Sequence, residues 1–261
     1  NVLPAAPATL TFAVDPVNVA AGAAIAPPVQ VRVSDGFGNG VPARTVTLSL
    51  VGTGVLSGGG PLATDATGIA TFSALSVDLV GGKQLTAASG ALAPVTSAAF
   101  IVSPGAAAAL TFVVSPSDVV AGVTMTPAVQ VRANDAFGNL APGQLVSLAI
   151  VGGGVLTGGG AVATDASGVA TFAALSVNLA GSKRLTASGG VAPAASSAAF
   201  LVSPAAPAAV AFAVPPSNVA AGAAISPTVQ VSVQDAFGNG VAAQAVSLAL
   251  VGSGVLSGGA A

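Results

Sequence analysis

The sequence contains no histidine, cysteine, tryptophan or tyrosine, and its eight acidic residues are all aspartate. Charged side chains make up 5% of the 261 residues, against about a quarter in an ordinary soluble domain. Without His or Cys, zinc, haem and iron–sulfur sites of the usual kinds are excluded. So are Ser-His and Cys-His nucleophile pairs. Six bases (Arg32, Arg44, Lys83, Arg132, Lys183 and Arg184) are scattered along a chain of net charge -2, which excludes a surface that tracks nucleic-acid phosphates. Long uninterrupted apolar runs are missing too, although 53% of residues are hydrophobic. A spanning helix needs about 20 consecutive apolar residues, and the most apolar stretch, 192–214, is broken by Pro193, Pro204 and Pro207. No membrane insertion is expected. No basic segment followed by an apolar core opens the sequence, so any export signal is expected to be absent or removed. Disorder does not fit such high hydrophobicity and low net charge.

What is present is a repeat. Asp35-Gly36-Phe37-Gly38-Asn39 returns as Asp135-Ala136-Phe137-Gly138-Asn139 and as Asp235-Ala236-Phe237-Gly238-Asn239. Val29-Gln30-Val31 returns at 129 and 229, and Thr64-Asp65-Ala66-Thr67-Gly68 returns as Thr164-Asp165-Ala166-Ser167-Gly168. About 55 of the first 100 positions recur unchanged one period later. A period of that size suits one whole domain per repeat.

Within a repeat the periodicity is that of strands. In 28–34, Val29, Val31 and Val33 face one way and Gln30, Arg32 and Ser34 the other; in 45–51, Val46, Leu48 and Leu50 point inward. Alternation of this kind marks strands with one buried face. Segments 8–14, 68–77, 83–89 and 97–102 are further strands, separated by Gly- and Asp-rich turns. No segment reads as a helix. About seven short strands per period describe an Ig-like β-sandwich. The fold class is therefore all-β: tandem Ig-like sandwiches in an extended rod. Boundaries are expected at Ser103-Pro104 and Ser203-Pro204, where proline stiffens the link, giving repeats 1–103, 104–203 and an incomplete 204–261. Residues 1–3 align with 101–103, the end of a repeat. The third repeat lacks the later strands and should expose its core; either the chain is a segment of a longer array or another chain completes it.

The runs Pro216-Ser217-Asn218-Val219-Ala220-Ala221-Gly222, Pro227-Thr228-Val229-Gln230-Val231 and Gln234-Asp235-Ala236-Phe237-Gly238-Asn239 resemble the bacterial Ig-like repeats of invasin and intimin type. Gly168-Val169-Ala170-Thr171-Phe172, with Leu175 and Leu185-Thr186-Ala187-Ser188, is similar to the family's second block. The resemblance implies a secreted or cell-surface rod, usually an adhesin stalk.

No catalytic, cofactor-binding or metal-binding residue is expected. Asp35, Asp135 and Asp235 each stand nearly alone, whereas calcium takes six to eight oxygens. They read as turn formers, with Gly38 or Asn39 left-handed and Phe37 plugging the end of the sandwich. Asp65 and Asp165 read as tight-turn residues. Gly58-Gly59-Gly60 and Gly158-Gly159-Gly160 lack the Lys-Ser/Thr of a phosphate loop. Lys83 and Lys183, with Asp78 or Asn178 as imaginable isopeptide partners, read as solvated turn lysines. The phenylalanines (Phe12, Phe37, Phe72, Phe100 and their repeats) read as core anchors. Arg44 becomes Gln144 and Gln244, as on a generic surface. The function expected is a non-enzymatic extracellular structural segment. It would self-associate into fibres or bundles, since scarce surface charge leaves little to keep copies apart. The alternatives are an adhesin segment contacting cell surfaces or glycans, and an accessory array of a secreted enzyme.

Overall fold

The computed structural model describes residues 3–190 and 192–259. The equivalence of Asn1-Val2 with Ile101-Val102, and Ala261, lie outside them. All named elements are strands. Repeat 1 comprises β1 (Pro7–Val14), β2 (Val19–Ala20), β3 (Val29–Asp35), β4 (Thr45–Val51), β5 (Leu56–Ser57), β6 (Leu62–Ala63), β7 (Ile69–Phe72), β8 (Ser76–Val77), β9 (Gly81–Ala88), β10 (Val95–Thr96) and β11 (Phe100–Ser103). One sheet has the order β1-β3-β7 and the other β2-β11-β9-β4-β6, with β10 beside β9 and β5-β8 forming a small ribbon. The short β2 runs parallel to β11, while the other pairs are antiparallel. The chain thus crosses from the first sheet to the second within its opening residues. That strand order is an Ig-like sandwich.

Alternation puts Val29, Val31, Val33, Val46 and Leu48 between the sheets with Phe72, Leu75, Leu85 and Phe100. Residues 109–203 repeat the order as β12 (Ala109–Val114) through β22 (Phe200–Ser203) around a separate core of Val129, Val131, Val146, Leu148, Phe172 and Phe200. Each of these two sandwiches buries its own apolar face, the main favourable term in its folding at about 25 cal/mol per Å². In the third repeat β23 (Pro207–Val214) pairs with β24 (Gln230–Asp235) in the register of β1 and β3. Val210 is exposed there, although its counterparts Leu10 and Leu110 are buried. β9, which packs against β1 in repeat 1, has no equivalent among the described residues of the third repeat.

Two features differ from the sequence reading. The single strand expected over 68–77 is cut in two: β7 stops at Phe72 and the carbonyl of buried Leu75 accepts from the Ile25 amide at 2.8 Å instead. Two-residue strands such as β2, β5 and β6 are additional, because a pair of ladder residues leaves no periodicity to read.

Candidate functional site

The Asp-x-Phe-Gly-Asn turn closes one pole of each repeat, and its aspartate is the hub. Asp135 Oδ1 accepts from the Phe137 and Asn139 amides, both at 2.9 Å. Its Oδ2 accepts from the Gly105 amide at 3.0 Å and from Asn139 Nδ2 at 2.8 Å. One carboxylate therefore organises the turn and ties down the first residues after the Ser103-Pro104 link. Asp35 and Asp235 do the same, with Ala5 at 2.9 Å and Ala205 at 2.8 Å. Gly38, Gly138 and Gly238 have φ of 85°, 84° and 82°, the left-handed conformation the turn requires. All these donors favour the ionised form. The Asn39 side chain, followed by the Ala5 amide, lowers the Asp35 pKa to about 2. For Asp235 and Asp135, burial raises the pKa, but the hydrogen bonds led by Asn239 and Asn139 outweigh it; Asp235 falls to about 2 and Asp135 is lowered.

The turn's remaining groups reach into the preceding repeat. Asn139 Nδ2 donates to the Asp78 carbonyl at 2.8 Å, and Asn139 Oδ1 accepts from the Val80 amide at 3.2 Å. The second junction is the same: Asn239 Nδ2 donates to the Asn178 carbonyl at 2.8 Å and its Oδ1 accepts from the Ala180 amide at 2.8 Å. Beside each hook a phenyl ring lies on a glycine. A Cβ built on Gly22 would meet two Phe137 ring carbons at 2.3 Å, and one on Gly122 would meet Phe237 at 2.4 Å. These glycines also have φ of 75° and 79°, so side chains are disfavoured there twice over.

This corrects the reading of the phenylalanines. Phe72, Phe100, Phe172 and Phe200 are core residues, but Phe37, Phe137 and Phe237 do not plug their own sandwiches. They point outward, and the later two are partly covered by a neighbouring repeat. The lysines also differ from expectation. Lys83 lies on β9, in phase with Leu85 and Ala87, and is 3% exposed. Its ammonium donates to the Val80 carbonyl at 3.1 Å and to Thr53 Oγ1 at 3.2 Å; Lys183 donates to the Gly152 carbonyl at 2.6 Å. Lys83 therefore braces the loop whose Val80 amide meets Asn139. The imagined isopeptide partners do other work: Asp78 Oδ1 and Asn178 Oδ1 accept from Val55 and Val155, each at 2.7 Å. Only an acceptor oxygen is needed, which is why Asp and Asn interchange there.

The other candidates form local structure. Asp65 Oδ1 accepts from Thr67 N at 2.8 Å, Thr67 Oγ1 at 2.7 Å and Ile69 N at 3.0 Å, and Asp165 mirrors it. Gly58 and Gly59 allow close approach, since a Cβ would lie 2.3 Å from the Ala74 oxygen and 2.7 Å from the Leu48 oxygen. Arg44 is exposed.

No family model matches the chain, and no curated protein matches it by sequence. Solved structures do. The Escherichia coli adhesin FdeC is 18% identical over 91% of this chain and 77% of its own, with a TM-score of 0.48. InvD of Yersinia pseudotuberculosis is 18% identical over 89% of this chain and 71% of its own, TM-score 0.44. The D0-D1 domains of intimin are 19% identical over 73% of this chain and 97% of theirs, TM-score 0.31. The chain folds as tandem Ig-like β-sandwiches, the fold implied by its resemblance to invasin- and intimin-type repeats.

Proposed function

We propose that this chain is a non-enzymatic extracellular spacer array, in which Ig-like repeats 1–103, 104–203 and 204–261 are held end to end at fixed orientation. One observation carries the reading: the same joint occurs twice, with Asn139 and Asn239 each donating at 2.8 Å to a carbonyl of the repeat before. A string of loosely tethered beads needs no matched hook. Two hydrogen bonds, a ring on a glycine and a short link tied to Asp135 resist both bending and twisting at one junction. A surface or extracellular location suits such an array. Exposed apolar side chains such as Ile101, Leu145 and Val151, on a chain with 5% charge, favour lateral association into fibres or bundles.

Small-angle scattering and electron microscopy of the chain test the reading together with a glycan- and cell-binding assay. Stiff rods that bundle, with blank binding, are expected. Hinged particles contradict the spacer array, and saturable binding to cells or glycans favours an adhesin segment.

A further inference from the structure

Repeat 1 presents the same pole as repeats 2 and 3, and no other repeat among the described residues is seated on it. Phe37 is 86% exposed, against 47% for Phe137 and 46% for Phe237. Asn139 and Asn239 are buried at 6% and 5% exposure, whereas Asn39 is exposed. The Asn39 amide folds back on its own aspartate, donating to Asp35 Oδ2 at 3.0 Å and Oδ1 at 3.3 Å. In the occupied joints only one such bond remains, and the second N–H goes to the neighbour's carbonyl. The rest of the pole is already built. Asp35 holds the turn amides of Phe37 and Asn39 at 2.9 Å and the Ala5 amide at 2.9 Å, as in the docked turns.

We propose that this face, Phe37 and Asn39 on the Asp35 turn, is an end-on docking surface for the opposite pole of another repeat of this kind. The partner is defined by chemistry already seen at both joints. It offers a carbonyl and an amide N–H two residues apart in the loop leading into its β9-type strand, and a glycine without a side chain under the ring. Only backbone and glycine are recognised. Asp78-Leu79-Val80 in one joint is therefore replaced by Asn178-Leu179-Ala180 in the other without loss of either hydrogen bond. The surface is accordingly tolerant of sequence at the loop and intolerant at the glycine. The matching poles of repeats 1 and 2 are taken by the Phe137 and Phe237 turns.

This rests on the stiff-array reading, and the test separates the two. Repeat 1 closes its own core, so residues 1–103 are placed ahead of residues 4–261, which sets Ser103 before Pro4 as it naturally precedes Pro104. The chain has no Tyr or Trp, so Phe37→Tyr in the original repeat 1 is a single fluorescent reporter, and Phe137→Tyr in the unextended chain is the docked reference. Acrylamide quenching of the position-37 reporter is expected to fall on extension to the reference value, in about the ratio of 86% to 47% ring exposure. Gly22→Val or Gly22→Ala in the added repeat, or Asn39→Ala in the original, is expected to restore free quenching. A protected reference with an unprotected position 37 in the extended chain overturns the docking surface alone. A reference that quenches as freely as position 37 in the unextended chain overturns the array reading itself.

Discussion

Asn139 belongs to the second repeat, yet its side chain completes the first: it donates to the Asp78 carbonyl at 2.8 Å and accepts from the Val80 amide at 3.2 Å while still bonded to Asp135 at 2.8 Å. One amide group thus couples the turn that opens a repeat to the loop that closes the previous one. Asn139→Ala is expected to uncouple them, lowering the stability of the joint by about 1–3 kcal/mol, the scale of two lost hydrogen bonds and a stranded Asp78 carbonyl. Thermal unfolding followed by calorimetry checks it: repeats 1 and 2 should separate into distinct transitions in the variant.

The glycines under the rings predict an asymmetry. Gly22→Val and Gly122→Val are expected to open their joints, because the new side chain occupies the space of Phe137 or Phe237. Among the described residues, no atom lies within 4 Å of a Cβ on Gly222. Gly222→Val therefore carries only the strain of its φ of 80°, of the order of 1–2 kcal/mol. Scattering profiles of the three variants distinguish these outcomes, with the first two more compact on average than the parent and the third unchanged.

Acid is expected to loosen the poles. Asp35 and Asp235 have folded pKa values of about 2, below the ordinary 3.8. Their hydrogen bonds thus contribute stability that is complete above the unfolded value and is lost as pH falls through the folded one. The melting midpoint should be flat from pH 7 to about 5 and decline between about 4 and 2. With no histidine in the chain, no step is expected near pH 6. Asp35→Asn should flatten the acid decline of repeat 1 and lower its stability at neutral pH.

Buried Thr64 links two loops, donating to the Val41 carbonyl at 2.8 Å and accepting from the Arg44 amide at 2.9 Å. Thr64→Val keeps the shape and leaves both backbone groups unpaired, so a loss of about 1–3 kcal/mol is expected in denaturant unfolding. Between these loops Ala43 has φ of 54°, where repeat 2 carries Gly143 at 73°. Ala43→Gly is expected to be neutral or stabilising by up to about 1 kcal/mol, because the left-handed conformation costs alanine more than glycine.

The local part of this architecture is legible in the sequence. The alternation of Val29, Val31 and Val33 marks a half-buried strand, and Asp35 with Gly38 and Asn39 marks a turn, because both signals lie within a few residues. Lys83 is misread as a solvated turn residue: it stands two residues before Leu85 on an inward phase, but its charge argues for solvent until the Val80 carbonyl is brought beside it. The joint is not legible. The partners of Asn139 are about 60 residues away in another sandwich, 61 from Asp78 and 59 from Val80. Its trace is a phenylalanine kept in a polar turn and a glycine kept at positions 22, 122 and 222. Neither residue points to the other until the fold sets two poles face to face.

In the proposed array, Asn139 and Phe137 lock consecutive repeats into one rigid body. Residual dipolar couplings from amides of repeats 1 and 2, measured on the same weakly aligned chain, test it most directly. A shared alignment tensor for the two repeats, which splits in Asn139→Ala, is the predicted result; separate tensors of unequal magnitude in the parent chain would contradict it.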